Sequence, residues 1–453
     1  MSDSNTSRNL MIEGDYRLQI IRFAIPLFVG HLFQQLYNTA DSLIVGNYLG
    51  ANALAAVSST GSLIYLLIGF FMGFSIGAGI VIARYVGAKD KLQTSNAVHT
   101  TVEMGLSFSI IMTIIGVTMS PFLLTWLNTP TEVFTEATIY LRIYFSGSMT
   151  LIMYNTFVGI LQASGDSKHP LYYLVISSLI NIILDILFIG VFHMGVEGAA
   201  IATVISQFIS AILAFIRLLT TNEDIRVSIT KIRFHKKVFK MIIRYGLPTA
   251  LQACVIDFAN LLIQSYINTF GNLAMAGVGA SNKVEGFSFL PVTAFSMAIS
   301  TFISQNVGAN KMDRVKSGIR FGILASIFCI EAIGLIYYFF APLIISLFNS
   351  NATVIDYGST RARICAPFYF LMGFSHISSA IMRGIGKPAV PMFVMLFCWC
   401  AVRVFVLLTI GQVYHVIKLA FWIYPITWFF SASVYAIYMK HLNIFEKERR
   451  VMQ

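Results

Sequence analysis

The sequence predicts an all-α integral membrane protein, with twelve transmembrane helices in two parallel six-helix lobes around a central cavity. Three observations lead there. Of 453 residues, 57% are hydrophobic and only 11% charged, whereas a soluble domain carries about 25% charged residues. The apolar residues come in long runs, many reaching the ~20 residues that span about 30 Å of hydrocarbon. The second half of the chain also repeats the first. The short alternating strands of a membrane barrel are absent.

Taken in order, spans are expected near 18–45, 53–83, 95–122, 134–162, 170–192, 196–219, 240–267, 274–305, 317–346, 359–382, 388–413 and 418–440. Several are longer than a perpendicular crossing needs, which implies tilt or helix continuing beyond the bilayer. No cleavable leader is expected, because the residues before the first apolar run are polar and show no cleavage pattern. Five cysteines (Cys254, Cys329, Cys365, Cys398 and Cys400) fall in expected spans. They read as buried small hydrophobes.

Cations mark one side of the membrane. Arg8, Arg17, Arg22, Arg84, Lys89, Lys91 and Lys168 fall there, as do the cluster Arg217 to Arg244 and Lys311, Arg314, Lys316 and Arg320. Arg383, Lys387, Lys440, Lys447, Arg449 and Arg450 complete the set, about 25 of the 31 Lys and Arg. The opposite loops hold Glu132, Glu136, Glu197 and Asp356, with Lys418 a rare cation. The positive-inside rule puts both termini in the cytoplasm of a multi-pass protein of the inner (plasma) membrane. The net charge of +11 is therefore a topology signal. Nucleic acid is excluded as a partner, since no compact basic domain exists to bind it.

The repeat is legible in short matches. Phe23-Ala24-Ile25-Pro26-Leu27 pairs with Tyr245-Gly246-Leu247-Pro248-Thr249, and Asn47-Tyr48-Leu49-Gly50 with Asn268-Thr269-Phe270-Gly271. Val86-Gly87-Ala88 pairs with Val307-Gly308-Ala309, and Leu141-Arg142-Ile143-Tyr144 with Ala362-Arg363-Ile364-Cys365. The offset stays at 221–222 residues. Six spans per half make the repeats parallel, a common design for alternating access. The expected organisation is an N-terminal lobe at 16–219, a basic cytoplasmic linker at 220–239, a C-terminal lobe at 240–440 and a tail at 441–453. Pro26 and Pro248 sit inside the first spans of the two lobes. Each removes a backbone donor, and reads either as a passive kink or as a hinge.

Ionisable residues inside spans are expensive, about 2.5–3.5 kcal/mol each at a helix centre on insertion scales, and are functional candidates by default. Asp41 and Asp185 are two such residues. Gln34, Tyr37, Asn38 and Asp41 follow i, i+3, i+4, i+7 spacing and share one helix face. Asn181 and Asp185 share a face of span five, with Ser177 and Ser178 one turn below. Thr203 and Gln207 form an i, i+4 pair on span six, and Asn155 lies in the middle of span four. Two carboxylates, an amide and a hydroxyl form a hard-oxygen set. It suits a proton shared between carboxyls or a small cation. The competing account, that each acid is satisfied by local caps or interhelical bonds, fits poorly with so dense a cluster.

The second lobe lacks this set. The repeat aligns Asp41 with Leu262 or Ile263, and counting from Pro170 and Pro388 aligns Asp185 with Arg403. Asp257 is a separate intramembrane acid, either a buried partner for Arg403 or a second coupling or substrate acid. Glu331 sits in span nine. His31 and His376 lack metal-ligand partners and read as structural. No P-loop, dinucleotide fingerprint or nucleophile triad is present. Neither an enzyme nor a bound cofactor is expected.

At these residues the chain resembles the multidrug and toxic compound extrusion (MATE) family, within it the DinF-like prokaryotic branch. The resemblance rests on Ile25-Pro26, Gln34-Gln35-Leu36-Tyr37-Asn38-Thr39-Ala40-Asp41, Val86-Gly87-Ala88, Leu161-Gln162-Ala163-Ser164-Gly165-Asp166 and Asn181-Ile182-Ile183-Leu184-Asp185, and extends over essentially the whole chain. It implies export of small organic, often cationic compounds in exchange for inward H+ or Na+, by a monomer. It also implies a cation site at Asp41, Asn181, Asp185 and Thr203, with Na+ as the only metal in question. Gln34, Tyr37 and Asn155 would face substrate or its hydrogen-bond network, and Pro26 would be the bending proline. The branch with a sodium site in its second lobe has acids on spans seven and ten. Here Asp257 falls near the first, and span ten offers none after Asp356. A lipid-linked precursor flippase of the same superfamily is the alternative. It should need a strongly basic cavity, and Arg403 is the one clear intramembrane cation in the sequence.

Overall fold

The structure is a computed structural model and describes residues 11–126 and 129–442. Among these residues the chain builds helices and no strands. The first three helices are α1 (Tyr16–Leu49), α2 (Ala51–Gly87) and α3 (Lys91–Trp126). Helices α4 (Thr131–Ser146) and α5 (Ser148–Ala163) form one rod broken at Gly147. Helix α6 (Lys168–Asp185) continues into a π-helical turn, Ile186–Val191, and α7 is Val196–Thr220. The second half holds α8 (Lys236–Asn268), α9 (Asn272–Gly308) and α10 (Met312–Ser346). Helices α11 (Ala352–Cys365) and α12 (Tyr369–Ile385) are joined by the 3-10 turn Ala366–Phe368. Helix α13 (Ala389–Val394) runs through a π-helical stretch, Met395–Ala401, into α14 (Val402–Leu408) and α15 (Ile410–Val413). The last helix is α16 (Ile417–His441).

Joined end to end, these form twelve rods among the described residues, one at each expected span. Ten hold a stretch long and apolar enough to cross a bilayer. The exceptions have local causes. The α1 rod dilutes its apolar run with the polar face of Gln34, Asn38 and Asp41, and the α4–α5 rod is cut at Gly147 into two 16-residue pieces.

The repeat is visible in the backbone. Left-handed Gly50 (φ 86°) recurs as Gly271 (φ 89°), and Gly165 (φ 98°) as Gly386 (φ 99°), each 221 residues on. Glycine alone takes these angles without strain. The bounds of α2 recur in α9 at the same offset.

Contacts divide the chain into two compact units. One contains Ile25–Ala250, the other Ile12–Ala24 with residues 251–442. The sequence boundaries at 16–219, 220–239 and 240–440 follow loops. The compact units change over inside helices, between Ala24 and Ile25 in α1 and between Ala250 and Leu251 in α8. These changes fall beside Pro26 and Pro248. Of the expected tail, residues 443–453 lie outside the described residues, as does Arg8.

In the first unit α5 packs on α2, α3 and α7, and α6 on α7. Gly73 and Gly77 of α2 meet Ala250 and Gly246 of α8 backbone to backbone. A Cβ added to Gly77 would stand 2.4 Å from the Gly246 Cα. Small residues at i, i+4 on both helices permit this approach. The basic linker packs into the same unit. Ile225 and Val227 are buried, and the Ser228 N–H donates to His99 Nε2 at 2.9 Å.

In the second unit α9 packs on α10, α11 and α12, and α12 on α16. Asn351 caps α11 by accepting from the Thr353 N–H at 2.9 Å, which satisfies an orphan donor of its first turn. Glu331 accepts from the Phe370 N–H at 2.9 Å and so caps the start of α12. The segment before α1 docks here, with Lys311 Nζ donating to the Ile12 carbonyl at 2.8 Å. All five cysteines are free, but only Cys365 and Cys398 are fully buried.

Candidate functional site

The first unit assembles an acidic site from α1, α4 and α6. On α1, Tyr37, Asn38 and Asp41 are half-buried and Gln34 is exposed. On α6, Asp185 and Asn181 are 0% and 1% exposed. The helix is seated on α7 by Ser177 Oγ, which donates to the Ser206 carbonyl at 2.9 Å. The π turn begins directly after Asp185. Single π turns re-aim side chains and recur at functional sites.

The Asp41 and Asp185 carboxyl groups lie close enough to act on each other electrostatically. Both Asp185 oxygens, Asp41 Oδ1 and both amide atoms of Asn181 are buried without a hydrogen-bond partner in the protein. A buried polar atom left unpaired is costly, and a buried charge more so. Two facing acceptors with no donor between them are relieved by a proton or a small cation.

Other expected residues stand differently. Thr203 Oγ1 donates to the Ala199 carbonyl of its own helix at 3.0 Å, and Asn155 Nδ2 donates to the Leu151 carbonyl at 2.8 Å. The Thr203 proton is thus spent locally, while its oxygen keeps lone pairs that can still accept or ligate. Gln207, buried on α7, has Oε1 without a partner.

Sequence reading missed Tyr140. This α4 side chain is 5% exposed and lies within electrostatic reach of Asp41, Asp185 and Tyr37. Tyr144, one turn on, stacks against it at 6.2 Å. The i, i+4 tyrosine pair in span four was the available signal.

The second unit has a different polar core. Arg361 (α11) donates to Glu285 Oε2 (α9) at 2.6 Å and to Ser281 Oγ at 2.9 Å. Tyr369 Oη donates to Glu285 Oε1 at 3.0 Å, and Tyr337 Oη to Ser281 Oγ at 2.9 Å. Arg361 is therefore a second intramembrane cation, which corrects the reading of Arg403 as the one clear case. Arg403 does not meet Asp257. Its Nη1 donates to Asn260 Oδ1 at 2.8 Å, while Asp257, one turn away on α8, is exposed. The repeat register also shifts. At the 221-residue offset of Gly165 and Gly386, Asp185 corresponds to Val406, and Arg403 lies one turn earlier.

Carboxylates held between the helices of a membrane bundle fit the ion pathway of a secondary transporter, and that is the class of the family which the chain matches. A family model described as MatE matches twice, over residues 26–187 and 248–409, beginning at the two prolines. The chain belongs to the MatE family. It is 28% identical over 435 residues to the probable multidrug resistance protein YoeA of Bacillus subtilis, covering 94% of each chain. It is 26% identical over 385 residues to the probable multidrug resistance protein NorM of Thermotoga maritima, covering 84% of this chain and 82% of that one. Among solved structures, a transporter of the MOP superfamily from Pyrococcus furiosus superposes with TM-score 0.90 at 24% identity, covering 96% of this chain and 98% of that one. An outward-facing MATE transporter superposes with TM-score 0.89 at 23% identity over the same shares.

Proposed function

We propose that this chain is an antiporter that exports organic compounds, amphipathic or cationic, by alternating access, driven by inward H+ or Na+. It acts as a monomer in the inner membrane with both termini in the cytoplasm. The observation that carries the reading is the Asp41–Asp185 pair, three of whose four oxygens are buried without donors beside the unpartnered Asn181 amide. Asp41, Asn181, Asp185 and Thr203 bind the coupling ion, with Tyr140 behind the acids. Gln34, Tyr37 and Asn155 serve substrate contact. The names of relatives such as YoeA and NorM support multidrug export as the class of activity. The flippase alternative is not favoured by these relatives.

Ion binding and substrate binding must be negatively coupled and reciprocal. Pro26 supports a hinge role, because it lies one residue beyond the point where α1 changes from one unit to the other. The deciding experiment is efflux from proteoliposomes under an imposed proton gradient and, separately, a sodium gradient. Activity with one gradient assigns the ion. Activity with neither sinks the antiport reading.

A further inference from the structure

In the second unit one guanidinium is left with a particular shape of need. Arg403 is 0% exposed. Its Nη1 is taken by Asn260, but Nε and Nη2 are buried without a protein partner. Those two N–H groups lie on one edge of the guanidinium and form a fork that fits a carboxylate through two parallel hydrogen bonds. The guanidinium carbon also lies over two aromatic rings, Trp399 and Tyr424, each 4.9 Å from Cζ. Only the edge is unanswered.

The charges around Arg403 do not supply the missing partner. Glu285 is engaged by Arg361 and Tyr369, and Glu331 by the Phe370 N–H. Asp257 is exposed on α8 and makes no ion pair with Arg403 among the described residues. Of the two buried arginines, Arg361 has a glutamate and Arg403 has only Asn260. Leaving a buried guanidinium in a span without an anion is strongly unfavourable, and cation–π contact offsets only part of that cost. The repeat sharpens the contrast. Tyr140, which backs the acids in the first unit, corresponds to Arg361 at the 221-residue offset. The acidic site of one lobe thus has a cationic counterpart in the other.

We propose that Arg403 anchors a carboxylate-binding site in the second lobe, walled by Trp399 and Tyr424, which takes the carboxylate of an aromatic organic anion or zwitterion as substrate. Asn260 is exposed on α8 and holds Nη1, which is not part of the fork, so the fork keeps both of its N–H groups for a ligand. This adds a carboxylate-bearing class to the substrates of the transporter reading and rests on that reading only for the word substrate; the binding site stands without it.

The test uses the purified full-length protein in detergent, with no gradient, and equilibrium dialysis of radiolabelled benzoate. Benzamide, the neutral analogue of the same shape, is the competitor control. Wild type should bind benzoate saturably and benzamide at least tenfold more weakly. Arg403→Gln and Arg403→Lys should each weaken benzoate about tenfold to a hundredfold, the lysine because it keeps the charge but not the fork. Thermal unfolding of both variants shows that the comparison is made on folded protein. Absence of saturable benzoate binding overturns the proposal, as does equal binding by wild type and Arg403→Lys. Since no ion gradient enters, loss of gradient-driven efflux with benzoate binding intact counts against the antiport reading alone.

Discussion

Arg361 on α11 and Glu285 on α9 form a buried ion pair, with 2.6 Å between Nη2 and Oε2. The pair ties two helices that are 76 residues apart in sequence, and Tyr369 and Ser281 complete its hydrogen bonds. Removing one partner of a buried pair strands the other charge, at about 3–5 kcal/mol. Glu285 is 23% exposed, so the lower end applies. Glu285→Ala should destabilise the second lobe by about 3 kcal/mol. The double variant Glu285→Ala with Arg361→Met should recover much of the loss, read as thermal unfolding in detergent. A double variant worse than the single would show that the pair is not the source.

Asp41→Asn and Asp185→Asn should each abolish gradient-driven efflux from proteoliposomes. Each replaces one of two facing acceptors with an amide that brings its own donor. Retention of full coupling in either variant would remove that residue from the ion site.

Tyr140→Phe should leave the fold intact and raise the half-saturating concentration of the coupling ion several-fold. The phenol lies within electrostatic reach of both acids, so its dipole acts on the charge that the ion neutralises. An unchanged ion dependence of efflux would leave Tyr140 as packing only.

Pro26→Ala should restore a backbone donor inside α1 and stiffen it, since proline in a helix interior costs about 3 kcal/mol. The expected outcome is an unfolding temperature equal to or above wild type, with efflux slowed about tenfold, or roughly 1.4 kcal/mol on the barrier. Wild-type efflux in a stabilised variant would end the hinge reading.

Gly77→Val should lower the unfolding temperature sharply. Its side chain would begin 2.4 Å from the Gly246 Cα, and backbone cannot step aside. Gly61→Ala is the contrast, since a Cβ there meets nothing within 4 Å. It should be neutral or stabilising by up to about 1 kcal/mol. Equal loss in both variants would mean that helix propensity, not the α2–α8 crossing, sets the effect.

The sequence by itself determined the helical membrane class, all twelve rods, the repeat and the two acids. Each of these is written in local order. Hydrocarbon thickness sets a run length, glycine marks the joints, and helical periodicity places Asp41 on the face of Tyr37 and Asn38. Nothing distant has to be known.

Only the tertiary structure decided which faces meet. It put Tyr140 beside acids 99 and 45 positions away in the chain, turned Thr203 and Asn155 onto their own helix carbonyls, and gave Arg403 to Asn260 and not to Asp257, one turn distant. It also showed compact units that change over within α1 and α8, where no loop marks the place. The physical reason is the same each time. A helix fixes the angle between its own side chains, but its rotation and tilt against neighbours come from packing summed over the bundle. A change of about one turn there exchanges the partner of a buried charge.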